Sequence, residues 1–74
     1  MRTKSEILSE LKESLRPVGL VRSGGVSVFI ANETVKVKRD DDERPWAASS
    51  LPAKRVRELY SMVEEILNKK QTNN

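Results

Sequence analysis

Fourteen consecutive residues, from Val26 to Arg39 (VSVFIANETVKVKR), constrain this chain more than any other segment. Apolar side chains recur at every second position, Val26, Val28 and Ile30, and again at Val35 and Val37, with Asn32-Glu33 between the two runs. Period-two alternation is the mark of a strand with one buried face. Asn suits the left-handed backbone of a two-residue hairpin turn. Counted outward from such a turn, Ala31 faces Thr34, Ile30 faces Val35, Phe29 faces Lys36, and Val28 faces Val37. One face then carries Val26, Val28, Ile30, Val35 and Val37, and the other Ser27, Phe29, Ala31, Thr34, Lys36 and Lys38. The pattern predicts an antiparallel hairpin over residues 26–39 that buries its valine face. Glu33 fits the second turn position poorly, since Gly is preferred there, and a loop longer by a residue or two would shift the register.

A buried face needs a cover, and two amphipathic segments offer one. Thr3 and Glu6 have capping-box spacing, in which each side chain satisfies a backbone amide at a helix start. Ile7, Leu8, Leu11 and Leu15 follow at helical spacing, and Pro17 disfavours helical geometry at Arg16, which predicts a helix over residues 4–15. A second stripe, Val56, Leu59, Tyr60, Val63, Ile66 and Leu67, predicts a helix over about residues 52–69. Ser49 and Ser50 are its cap candidates, Pro52 suits its first turn, and Lys69 and Lys70 suit its carboxyl end. Residues 18–22 read as either a connecting loop or a short strand, 40–50 as a loop, and 70–74 as a frayed tail. The expected fold is α+β: a two-layer α-β-β-α sandwich in one small domain, its antiparallel hairpin (three strands if residues 18–22 pair) packed against two helices.

At 74 residues the chain has room for one small core. It contains no cysteine and no histidine, which excludes disulfides and thiolate metal sites and disfavours zinc and imidazole acid–base chemistry. The amino-terminal run MRTKSEILSELKE is too charged for a signal peptide, and no apolar run is long enough to span a membrane, so the expectation is a cytoplasmic protein. Fourteen basic against eleven acidic residues leave a net charge of +3, a mild pull towards nucleic acid.

The order α-β-β-α, or α-β-β-β-α with the extra strand, resembles that of small RNA-binding domains and their toxin relatives. In one such group, the HicA-type RNA-cleaving toxins, a Gly-Ser-His opens the first hairpin strand. Here Gly24-Gly25-Val26 stands at that point and no histidine occurs anywhere, so that chemistry is absent whatever the fold.

The carboxylates Asp40-Asp41-Asp42-Glu43 lack the spacing of a calcium loop and read as a solvated turn, with no metal or cofactor expected. No serine has a histidine to activate it, and Gly24-Gly25 lacks phosphate-loop spacing. The chain therefore reads as a non-enzymatic module. Lys36 and Lys38 share the polar hairpin face with Phe29, and Arg22 and Arg39 lie near its end. An aromatic ring flanked by cations can stack a base while the cations hold phosphates. Lys54, Arg55 and Arg57 fall in the first turns of the second helix, where backbone amides already favour anions. The leading expectation is nucleic-acid binding through these eight residues, weighed against lysines that merely protect a sheet edge.

The alternative is a protein-interaction module, a small regulator or inhibitor docking through Arg44, Trp46 and the acidic loop, since an exposed indole beside an arginine has hot-spot composition. Against it stands a Trp46 that closes the core, the favoured reading for a chain with three aromatic residues. A homodimer is also expected, formed by edge pairing along the uncharged strand 26–31 or by packing of the end of the second helix, where Ile66 and Leu67 would otherwise be exposed.

Overall fold

The structure, a computed structural model, describes residues 2–72, with the side chains of residues 2–69. Helix α1 spans Lys4–Leu15, strands β1 to β4 span Leu20–Ser23, Val26–Ala31, Thr34–Arg39 and Trp46–Ala47, a short 3-10 helix covers Ala48–Ser50, and helix α2 spans Ala53–Thr72. The strands form one antiparallel sheet in the order β1-β2-β3-β4, and both helices lie against the valine face of that sheet. The α+β sandwich of two helices on an antiparallel sheet is thus the observed fold, with four strands rather than two or three.

The hairpin register is Ala31 with Thr34, Ile30 with Val35, Phe29 with Lys36, and Val28 with Val37. It holds because Asn32 and Glu33 both take positive φ, 53° and 63°, the geometry of a two-residue turn whose twist matches that of the strands. No longer loop is needed. The connection between β1 and β2 is built the same way. Gly24 and Gly25 have φ of 55° and 78° and pair Ser23 with Val26.

Thr3 Oγ1 accepts from the Glu6 amide at 3.2 Å, and Glu6 Oε1 accepts from the Thr3 amide at 2.9 Å, completing the capping box of α1. The helix stops at Leu15, but Arg16 keeps helical angles (φ −52°, ψ −48°). The break comes one step later, at Pro17, with Gly19 in the left-handed region at φ 81° and its amide on the Leu15 carbonyl. Helix α2 begins at Ala53, and the first turn closes on the Pro52 carbonyl. Ser50 is no cap: its hydroxyl donates to the Ala47 carbonyl at 2.7 Å. The helix continues to Thr72, so residues 70–72 of the expected tail are helical, while 73 and 74 lie outside the described residues.

Ile7, Leu11 and Leu15 of α1, Val21, Val28, Val35 and Val37 of the sheet, Ala48, and Val56 and Val63 of α2 are buried. Among the described residues no polar or charged side chain is buried with them. Tyr60 of α2 donates to Glu10 of α1 at 3.2 Å, and Ser14 donates to Glu64 at 3.0 Å. The constant offset of 50 between partners shows that the helices run in the same direction. Arg2 lies 5.1 Å over the Tyr60 ring and also pairs with Glu10, clamping this seam from outside.

Two supports for the expected dimer fall away here. Strand β2 is an inner strand, covered by β1 and β3, so residues 26–31 present no free edge. Ile66 and Leu67 pack against the core of their own chain.

Candidate nucleic-acid interface

Side chains that alternate with the buried valines point to the other face of the sheet, which no helix covers among the described residues. Leu20, Phe29, Lys36 and Ala47 form one row across the four strands, each directly opposite the next. Arg22, Ser27 and Lys38 form the adjoining row. Directly opposed side chains have Cβ atoms about 5 Å apart, and diagonal ones about 7–8 Å. Phe29 is therefore flanked by Leu20 and Lys36, with Arg22 and Lys38 on its diagonals. It is half-buried by these neighbours and lies outside the core cluster.

The acids nearest this face are drawn away or neutralised. Glu33, in the turn, reaches back to α1: Lys12 Nζ lies 3.1 Å and Arg16 Nη2 3.6 Å from its Oε2. The hydrogen bond from Lys12, with the two positive charges, holds the Glu33 carboxyl below the usual range. Asp40 pairs with Arg22, Oδ2 to Nη2 at 2.6 Å, while Arg22 Nη1 donates to Ser27 Oγ at 3.3 Å. Lys38 Nζ donates to the Arg39 carbonyl at 3.3 Å. Neither Lys36 nor Lys38 is paired with a carboxylate among the described residues.

The remaining candidates do not converge here. Arg39 alternates with Lys38 onto the helix side and pairs with Asp41 at 3.4 Å. Lys54, Arg55 and Arg57 belong to α2, on the far side of the sheet, and Arg55 pairs with Glu58 at 3.2 Å. The eight basic and aromatic candidates thus divide into an open-face group of four, Arg22, Phe29, Lys36 and Lys38, and a helix-side group of four.

Trp46 does not close the core. It pairs with Val37 in β4, is 57% exposed, and leaves the core to Ala48 and Leu51 on the segment that follows. Segment 40–50 is accordingly less loop than expected, since its second half forms β4 and the 3-10 helix. Arg44 is exposed beside Trp46. Among the described residues no group of three or more acidic side chains is arranged to hold a metal, and no helix is long and apolar enough to cross a membrane.

Leu20, which widens the apolar patch beside Phe29, was missed as a candidate. Its signal was present: Leu20-Val21-Arg22-Ser23 and the run from Val26 are separated by exactly the two-residue Gly-Gly spacing of a tight hairpin. Comparison with known proteins adds no relative, because no protein-family model matches the chain and no curated protein or solved structure is significantly similar to it.

Proposed function

We propose that the protein binds single-stranded nucleic acid on the uncovered face of its sheet. The observation that carries this reading is Phe29, set in the middle of an open four-stranded face between Leu20 and Lys36, with Lys38 diagonal to it and neither lysine paired with a carboxylate among the described residues. A base stacks on the Phe29 ring, Leu20 extends the apolar platform, and Lys36 and Lys38 hold the adjoining phosphates. Arg22, already fixed by Asp40, offers its remaining donors to a sugar or base edge. A phenyl ring accepts any base, so the expected binding is tolerant of sequence.

Titration of fluorescently labelled single- and double-stranded oligonucleotides at two salt concentrations tests the proposal. Single strands should bind more tightly than duplex, and log affinity should fall with log salt at about 0.7 per phosphate contact. Absence of saturable binding at low salt would overturn it. The exposure of Trp46 favours a second reading, in which the protein docks on another protein through residues 44–46.

A further inference from the structure

On the helix side of the sheet, α2 and the sheet end formed by Gly24-Gly25 and Asp40-Asp41 enclose a groove of about 790 Å³. Val26, Val37, Leu59 and Met62 give it an apolar lining, and Arg39 and Arg55 lie along its rim. Trp46 stands beside it, since its register partner in β3 is the lining residue Val37. A projecting indole and an apolar recess therefore adjoin on one surface.

The charges on that surface are divided as well. The loop leading to Trp46 carries Asp40, Asp41, Asp42, Glu43 and Arg44, a formal charge of −3 from four acids and one base; Arg22 pairs with Asp40 and Arg39 with Asp41, which leaves Asp42 and Glu43 as its acids without an ion pair among the described residues. The first turns of α2 carry Lys54, Arg55, Arg57 and Glu58, a formal charge of +2 from three bases and one acid. An interface between identical subunits related by a two-fold axis must be complementary to itself. This surface meets that demand twice, in shape by knob and recess, and in charge by acidic loop and basic turn.

We infer that two copies of the chain associate through this surface. Each Trp46 enters the groove of the partner, and each acidic loop lies against the basic first turns of the partner's α2. Tryptophan seated in an apolar pocket is the side chain most enriched among residues that dominate interfaces, and opposed charges set the orientation of the encounter. The arrangement is independent of the nucleic-acid reading, because it leaves the Phe29 face of both sheets uncovered.

Sedimentation equilibrium of the full chain across the micromolar range, with tryptophan emission recorded on the same samples, is the test. The expected result is a mass rising from 8.4 kDa towards twice that value, with the emission of the single tryptophan shifting to the blue in step. Trp46→Ala, a change at an exposed position, should weaken association at least tenfold, and Arg55→Glu should weaken it less. A monomer at every concentration would overturn the inference. So would full association of Trp46→Ala.

Discussion

Lys12 Nζ lies 3.1 Å from Glu33 Oε2, joining the last turn of α1 to the second position of the β2–β3 turn. That turn position has φ of 63°, where a side chain is disfavoured and Gly is usual. The contact gives a physical reason for an acid at this place: it binds the tip of the hairpin to the helix that covers it, and Arg16 adds a second cation at 3.6 Å.

Acid sensitivity follows from this contact. The Glu33 carboxyl is held low first by the Lys12 hydrogen bond, and the Glu6 carboxyl first by the Thr3 backbone amide. A carboxyl whose folded-state pKa is depressed contributes stability that is present above its ordinary pKa and is lost as pH falls through the folded value. Stability should therefore decline on acidification below about pH 4.3, the ordinary glutamate value. Glu33→Gln should lower the urea midpoint at pH 7 and flatten the acid limb, and 1 M salt should shrink the difference between variant and parent. Urea unfolding at pH 7 and pH 3, with and without salt, checks each part.

The core should be intolerant of truncation. Leu11 is fully buried between the sheet and α2, and Leu11→Ala should cost about 2–5 kcal/mol. Against a total stability of about 5–15 kcal/mol for a natural domain, the loss is a large part of the whole. Thermal unfolding followed by circular dichroism should show a much lowered or absent transition.

The β1–β2 turn separates a backbone effect from a packing effect. A Cβ at Gly24 would meet nothing within 4 Å, yet φ there is 55°. Gly24→Ala should therefore cost about 1–2 kcal/mol through left-handed strain alone. A d-alanine introduced at the same position by chemical synthesis, for which positive φ is favoured, should not carry that cost. Equilibrium unfolding of the two variants compares them.

On the open face, Phe29→Ala should weaken single-strand binding by about 1–3 kcal/mol with little change in salt dependence, because stacking releases no counterions. Lys36→Ala combined with Lys38→Ala should reduce the log–log salt slope by about 1.4, about 0.7 for each lost contact. Lys54→Ala, on the opposite side of the sheet, should change neither quantity. Binding unchanged in the Phe29 and double-lysine variants would remove the site from this face.

Local pattern by itself determined the parts of this protein whose rules are local. Period two from Val26 to Val37 set the hairpin faces, Asn32 marked the turn, and Thr3 with Glu6 set the start of α1, because each depends on residues a few positions apart. Tertiary structure decided the rest. Whether Trp46 was core or surface depended on which residue after β3 packs into the core, and Ala48, with Leu51 just beyond the segment, takes that place. The basic residues looked alike in the chain, yet Lys38 and its neighbour Arg39 end on opposite faces, and α2 carries Lys54, Arg55 and Arg57 to the far side. The pairings of Arg22 with Asp40 and Lys12 with Glu33 join residues 18 and 21 positions apart. Periodicity states which side of an element is buried, but an ion pair or a recess exists only once separate elements pack, and no local rule specifies which of them will meet.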